Sequence, residues 1–77
     1  MPTGNAFISA ADIGRTIREA RKRGGLTQAE VALAAGVGLR FIGELEGGKA
    51  TAQIGKILQV LAVLGGSLSI RWNDDRA

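Results

Sequence analysis

The stretch from Gly43 to Lys49 is the first place where residue types and spacing suggest chemistry. It reads GELEGGK and resembles a glycine-rich loop that holds nucleotide phosphates. Such a loop needs serine or threonine after the lysine to bind magnesium, and Ala50 cannot do this. It also follows a strand, whereas these residues continue a helical pattern, and Glu44 and Glu46 would face the phosphates. We therefore exclude a nucleotide site.

The inventory of side chains excludes most other enzyme chemistry as well. The 77 residues contain no histidine and no cysteine, so most acid–base and nucleophilic arrangements lack their usual groups. Asp74 and Asp75 have no histidine partner and are interpreted as solvated charges. A disulfide is impossible, and a structural zinc site would lack its usual ligands. We expect no enzyme activity, no cofactor and no metal.

The segment from Leu26 to Lys49 instead predicts two short helices around a tight turn. Thr27 and Glu30 have the spacing of a capping box, which marks the start of a helix. Gly36 supplies the left-handed residue that ends this helix, and residues 39–45 begin a second one. A short helix, a glycine-containing turn and a second helix form the layout of a helix-turn-helix. In that motif the second helix lies in the major groove of DNA.

The chain resembles the Xre/lambda-repressor-like helix-turn-helix family in the residues of this segment: Leu26-Thr27-Gln28, Ala32, Gly36-Val37, Ile42, Leu45-Glu46 and Gly48-Lys49. From about Ser9 to Trp72 it is further similar to antitoxins of the HipB type. That likeness lies in Arg40-Phe41-Ile42, Glu44-Leu45-Glu46, Gly48-Lys49, Thr51-Ala52-Gln53 and the run from Lys56 to Gly65. The resemblance implies a small dimeric repressor that binds double-stranded operator DNA and a HipA-like kinase toxin.

Chain length and composition favour a single domain that assembles with itself. A chain of 77 residues is close to the size at which one core supplies only a few kcal/mol of stability. With disulfides and zinc excluded, oligomerisation is the remaining source of stability. No apolar run approaches a membrane span, and residues 1–6 lack the basic start and apolar stretch of a signal peptide. We expect a cytoplasmic, nucleoid-associated protein.

Basic residues are concentrated in the predicted first helix. The net charge is only +3, but half of the basic residues are Arg15, Arg18, Arg21, Lys22 and Arg23. On a helix, Arg15, Arg18 and Lys22 form one stripe opposite an apolar face. This stripe suits phosphate contacts, which give affinity without sequence information. The alternative is an ordinary solvated face, and both interpretations stay open.

The predicted architecture is mainly α, with four helices in a lambda-repressor-like helix-turn-helix domain and a C-terminal β-strand. Ser9 is expected to cap the first helix, and Gly24-Gly25 to end it. Thr51 is expected to cap the fourth helix, and Gly65-Gly66 to break it. The predicted divisions are an N-terminal tail (1–8), the helix-turn-helix domain (9–66), a dimerisation strand (67–72) and a C-terminal tail (73–77).

The fourth helix is more apolar than one small core requires. Its predicted inward stripe is Ile54, Ile57, Leu58, Leu61 and Leu64, and Val60, Ala62 and Val63 widen that stripe. Such a helix needs cover on more than one side. Burial of the helix at the centre of the protein would provide it, but we favour a dimer interface.

The C-terminal segment strengthens the prediction of a dimer. Leu68, Ile70 and Trp72 alternate with polar residues, as in a half-buried strand. A strand needs a partner, and the other candidate within the chain, residues 6–8, is short. A second copy could pair antiparallel across a two-fold axis, as HipB-type dimers do. The expected interface is Leu61, Leu64, Leu68, Ile70 and Trp72. Two such motifs would read an inverted repeat with half-sites roughly 34 Å apart.

Matching to the family motif assigns candidate DNA contacts at the start of the reading helix. Arg40 is the best candidate for a base contact, because a guanidinium can bond guanine O6 and N7 together; a phosphate contact is the alternative. Leu39 could touch a thymine methyl group or simply be exposed, and Gly38 lies beside it. Gly43 costs roughly 1 kcal/mol relative to alanine in a helix, which suggests close approach to DNA or to the second helix. The expected phosphate contacts are Gln28, Thr27, Lys49, Arg15, Arg18 and Lys22.

Two departures from the family pattern leave other functions open. Gly38 replaces the usual serine or threonine at the cap, and Glu44 stands where polar or basic residues are common. Glu44 would be repelled by phosphates unless it accepts a hydrogen bond from cytosine N4. A protein-binding module with weak DNA binding and a stand-alone Xre-type regulator are therefore the alternatives. Trp72 could anchor a protein partner, or be buried in the dimer sheet.

Overall fold

Four helices make up the regular structure of residues 9–72, the part of the chain that the computed structural model describes. They are α1 (Ala10–Arg23), α2 (Gln28–Ala35), α3 (Leu39–Glu46) and α4 (Ile54–Val63). The prediction of a mainly helical domain with four helices is confirmed. The two predicted tails, with the alternative strand at residues 6–8 and the pair Asp74 and Asp75, lie outside the described residues.

The start and end of α1 are set by residues next to it in the chain. The Ser9 hydroxyl accepts a hydrogen bond from the backbone N–H of Asp12 at 3.2 Å, as expected of an N-cap. At the other end, Gly24 is the C-cap residue and Gly25 takes a left-handed conformation with φ of 71°. Both predicted boundaries of α1 are confirmed.

The start of α2 and the turn between α2 and α3 have the predicted geometry. The Glu30 N–H donates to the Thr27 hydroxyl at 3.0 Å, and the Glu30 carboxylate accepts from the Thr27 N–H at 2.8 Å. Both bonds of the capping box are therefore present. Gly36 has φ of 72°, and the Val37 N–H donates to the Ala32 carbonyl at 3.0 Å, which closes the turn. α3 then begins at Leu39.

All four helices contribute to one hydrophobic core. α3 packs against both α1 and α2, and α2 also packs against α4. This arrangement holds α3 from two sides and leaves its outer face open. The buried apolar residues are Ile17, Val31, Ala32, Ile42, Leu45, Ile57 and Val60.

The start and the inward face of α4 differ from the prediction. The helix begins at Ile54 after Gln53, and Thr51 is not its cap; the Ala52 N–H bonds to the Lys49 carbonyl at 3.4 Å, so these residues form a turn instead. The helix is therefore shorter than the sequence predicted. Its core face centres on Ile57 and on Val60, which is 0% exposed.

Two residues of the predicted apolar stripe of α4 lie outside the core. Ile54 is 66% and Leu58 is 47% exposed, because they flank the face that packs against α2. Leu61 and Leu64 are partly buried against the core. A single chain thus leaves part of the apolar surface of α4 uncovered.

The segment from Gly66 to Trp72 contains no strand in the described chain. Leu68 is 36%, Ile70 is 77% and Trp72 is 71% exposed. A strand requires a hydrogen-bonded neighbour, and residues 9–72 contain no strand that could supply one. Strand pairing across a homodimer therefore stays a prediction.

Candidate nucleic-acid interface

The predicted base-contacting residues are all exposed, at the start and on the outer face of α3. Leu39 is 54% exposed, and the Arg40 side chain is 91% exposed. Gly38 is the N-cap of the helix and has no side chain with which to cap it. A Cβ added to Gly43 would meet nothing within 4 Å. The suggestion that Gly43 allows close approach to α2 is therefore wrong, because no atom of α2 lies near this position.

The carboxylate of Glu44 lies between two basic side chains of this surface. Its Oε2 accepts a hydrogen bond from Arg40 Nε, and its Oε1 accepts one from Lys49 Nζ, both at 3.2 Å. The bond from Lys49 is the main reason why the pKa of Glu44 is held below its usual value; the bond from Arg40 adds to it, against a partial opposing effect of burial. Glu44 is therefore ionised at neutral pH and pairs with the residues expected to contact DNA.

A buried ion pair joins α1 to the end of α3. Arg21 Nε and Nη2 donate to the two oxygens of the Glu46 carboxylate at 2.6 and 2.9 Å, which is a bidentate contact. Arg21 Nη1 also donates to the Leu26 carbonyl at 2.8 Å. The exposed fractions of the Arg21 and Glu46 side chains are 10% and 3%. Arg21 was predicted within the basic cluster of α1, but this pairing removes it from the charged surface.

Gln28, the first residue of α2, completes this network. Its Nε2 donates to Glu46 Oε1 at 3.1 Å. Burial by itself would raise the pKa of Glu46, but the hydrogen bonds from Arg21 and Gln28, with the nearby charges of Arg21 and Arg18, hold it below the usual value. The Glu46 carboxylate thus connects α1, α2 and α3. Phosphate contact by Gln28 stays a prediction.

Gly14 is a positioning residue that the sequence did not single out. A Cβ at this position would overlap the Leu45 carbonyl oxygen and approach the Glu46 carbonyl oxygen to 2.9 Å. The absence of a side chain therefore lets α1 lie directly against the end of α3. A glycine in the middle of an otherwise helical pattern is the signal that could have indicated this contact.

The remaining basic residues of α1 stay on the surface. Arg18 and Lys22 are exposed, while the Arg15 side chain is 61% exposed and pairs with Asp12 at 2.7 Å. These three residues are the predicted phosphate stripe. Because α1 packs directly on α3, the stripe belongs to an element that is rigidly connected to the reading helix.

A cleft of about 240 Å³ separates the end of α3 from the start of α4. Lys56 lines it and places its Nζ 5.6 Å from the centre of the Phe41 ring, a cation–π contact. Lys49 lies on the same cleft, so two amino groups border one side of the reading helix. Lys56 was not among the predicted contacts, although it is the one basic residue between Lys49 and Arg71.

Comparison with known proteins agrees with this geometry. Residues 17–70 match the family model described as helix-turn-helix, HTH_3. The chain is 62% identical over 60 residues to the uncharacterized HTH-type transcriptional regulator y4mF of Sinorhizobium fredii, a match that covers 78% of this chain and 79% of that protein. The chain therefore belongs to the helix-turn-helix family, and the resemblance predicted from its motif residues is confirmed.

Solved structures with the same fold include two HipB complexes. The HipB–O4 20mer complex has a TM-score of 0.81 at 19% identity, and the match covers 88% of this chain and 96% of that chain. A HipB complex with an O2 20mer has a TM-score of 0.82 at 20% identity and covers 90% and 96%. A structure called MDT Protein is equally similar, with a TM-score of 0.82 at 19% identity, and covers 88% and 96%. At such identities the likeness shows the fold alone.

Fold and family together define a DNA-binding protein of the transcription-regulator class. None of the helices in residues 9–72 is both long and apolar enough to cross a bilayer.

Proposed function

We propose that the protein is a homodimeric, sequence-specific transcriptional repressor. The main support is the exposed first half of α3, where Leu39 and Arg40 protrude while the Arg21–Glu46 pair holds the other end of the helix. A reading helix of this kind enters the major groove with its N-terminal residues against the base edges. Arg40 is the basic residue of α3, and a guanidinium can bond guanine O6 and N7 together, so we assign the base contact to it.

Positive charge beside α3 would position the helix on the duplex. The proposed phosphate contacts are Arg15, Arg18 and Lys22 on α1, Gln28 and Thr27 at the start of α2, and Lys49 after α3. Contacts of this type set register and orientation and make binding depend on salt. Lys49 and Arg15 each form a surface ion pair, so binding would exchange these carboxylates for phosphates.

Replacing Arg40 with alanine should cost about 1–3 kcal/mol of binding to the preferred sequence and relax the choice of base at one position. The measurement is the affinity for a duplex selected by the wild-type protein from a random-sequence pool, compared with random DNA. Arg23→Ala removes an equal charge from the exposed end of α1 and is the matched control. Equal losses on selected and random DNA would show that Arg40 contacts a phosphate, not a base.

The proposed dimer rests on the apolar residues that one copy leaves exposed. Ile70 and Trp72 protrude from the extended C-terminal segment, and Leu68 is next to them. Antiparallel pairing of two such segments would satisfy their backbone groups and cover these side chains together with Leu61 and Leu64 of α4. The dimer would present two reading helices to an inverted repeat.

The replacement Ile70→Asp should shift the protein from dimer to monomer and reduce binding to an inverted repeat far more than to a single half-site. Sedimentation at several protein concentrations gives the oligomeric state. Ser69→Asp adds the same charge one residue earlier, on the other face of the predicted strand, and should leave the dimer in place. A wild-type protein that stays monomeric at the highest concentrations would contradict the proposal.

An antitoxin role is the more specific form of this proposal. The likeness to HipB supports a second task for the dimer, in which it binds and neutralises a HipA-like kinase toxin. Co-expression with a kinase-like protein encoded beside this chain tests that role, and the expected result is a stable complex in which kinase activity is lost. A dimer that represses its operator but binds no such protein would be a stand-alone Xre-type regulator.

A weakly DNA-binding protein-interaction module is the other candidate. Glu44 favours it, because a carboxylate on the reading helix opposes phosphate binding. Binding that is equal on selected and random DNA and disappears with added salt would support this candidate against the repressor.

A further inference from the structure

Glu44 is the acidic residue nearest to both basic side chains at the reading surface. Arg40 and Lys49 are the basic residues between Gly24 and Gly55, and each bonds a different oxygen of the same carboxylate. The Glu44 side chain is 33% exposed, so the carboxylate borders the surface that would face DNA.

The carboxylate lowers the charge that this surface offers to phosphates. Two cations and one anion give a net charge of +1 where Arg40 and Lys49 alone would give +2. Non-specific affinity for DNA comes almost entirely from such charges and from the counterions they displace. The negative charge of Glu44 therefore weakens binding to DNA of any sequence.

The same contact orients the guanidinium of Arg40. Glu44 accepts its hydrogen bond from Nε, so this bond does not use the two terminal nitrogens. A pair of guanidinium N–H groups can bond guanine O6 and N7 together. Glu44 and Arg40 are one helical turn apart, at i and i+4, so the bond restrains a side chain that is otherwise 91% exposed.

We propose that Glu44 is a specificity determinant, which orients Arg40 for base readout and reduces the attraction of the surface for phosphates. This inference rests on the proposed function, sequence-specific DNA binding. It gives a reason for an acidic residue at a position where it would otherwise only weaken binding. Discrimination between sequences improves if random DNA loses more affinity than the preferred sequence does.

The test is Glu44→Gln, which keeps the shape of the side chain and removes its charge. Each added phosphate contact steepens the dependence of log K on log salt by about 0.9, so random DNA should bind about tenfold more tightly at about 0.1 M salt. Affinity for the sequence selected by the wild type should rise less, because an uncharged amide oxygen holds Arg40 in alignment more weakly than the carboxylate does. The ratio of the two affinities should fall, and a fresh selection should return a looser consensus.

Two control variants isolate the contact. Glu19→Gln removes an equal charge from the exposed surface of α1 and should leave the affinity ratio and the salt dependence near the wild-type values. Glu44→Gln placed in an Arg40→Gln background should no longer change the ratio, because its partner in base readout is absent. Thermal unfolding of each variant shows whether the fold is intact, and a purely structural role for Glu44 would not change the salt dependence.

The outcomes separate this inference from the proposed function. A selective wild-type protein whose affinity ratio is unchanged by Glu44→Gln would overturn the role of Glu44 and leave the repressor in place. An equal change in Glu19→Gln would also overturn it, since net charge alone would then be responsible. A wild-type protein that selects no sequence would overturn the proposed function and this inference together.

Discussion

Replacement of Glu46 by glutamine is expected to lower the free energy of unfolding by about 3 kcal/mol, because it leaves Arg21 buried without a counter-ion. The Glu46 side chain is 3% exposed and accepts hydrogen bonds from both Arg21 and Gln28. A chain of this size has only a few kcal/mol of stability in total. Urea unfolding followed by circular dichroism would measure the loss.

The exposed carboxylate of Glu19 offers the matched control. Glu19→Gln makes the same chemical change on the surface of α1 and should alter the free energy of unfolding by less than about 0.5 kcal/mol. Comparable losses in the two variants would show that the buried pair has no special role. A double variant, Arg21→Met with Glu46→Leu, should recover much of the stability lost in Glu46→Gln, since no unpaired charge is then buried.

The same ion pair predicts how stability depends on pH. The pKa of Glu46 is lower in the folded protein than its usual value, so folding favours the ionised carboxylate. This contribution is fully present above the unfolded-state pKa of about 4.3 and is lost as the pH falls through the lower folded-state pKa. The acid-induced loss of stability should be smaller in Glu46→Gln than in the wild type.

Replacement of Gly14 by alanine is expected to destabilise the protein by about 3 kcal/mol, at the upper end of the usual cost of overpacking. The added methyl group would overlap the backbone carbonyl of Leu45 and crowd that of Glu46. These are backbone atoms, so they cannot rotate away as a flexible side chain could. α1 and α3 would have to separate, which would also strain the bond from Arg21 to Glu46.

Gly43→Ala is the matched control on the outer face of α3. The same methyl group would meet nothing within 4 Å there, so the gain in helix propensity should stabilise the protein by roughly 0.5–1 kcal/mol. Opposite signs for the two glycine variants in one unfolding experiment are the expected result. Stabilisation by Gly14→Ala would show that α1 and α3 do not approach as closely as the structure indicates.

The beginnings and ends of α1, α2 and α3 could be predicted because their signals are local. A capping hydroxyl such as that of Thr27 bonds an N–H only three residues away, and a glycine such as Gly36 ends a helix through its own backbone conformation. The exposed position of Arg40 on α3 followed from the same local pattern. The family resemblance then indicated what such an arrangement of helices does.

The start of α4 and its inward face could not be predicted in the same way. Thr51 is a good capping residue, but Ala52 packs against the core and its backbone bonds to Lys49, which delays the helix to Ile54. Five apolar residues at helical spacing did not reveal that Ile57 faces α2 while Leu58 is half exposed. Which of these residues is buried depends on where α2 packs against α4.

The helix-turn-helix and the residues exposed on it could be predicted from local patterns, because caps, turns and helical periodicity act within a few residues. The pairing of Arg21 with Glu46, 25 residues away, and the position of Gly14 against the end of α3 follow only from the packing of the helices. Long-range contacts of this kind form only when packing has fixed the distance between helices, and local pattern carries no information about that distance.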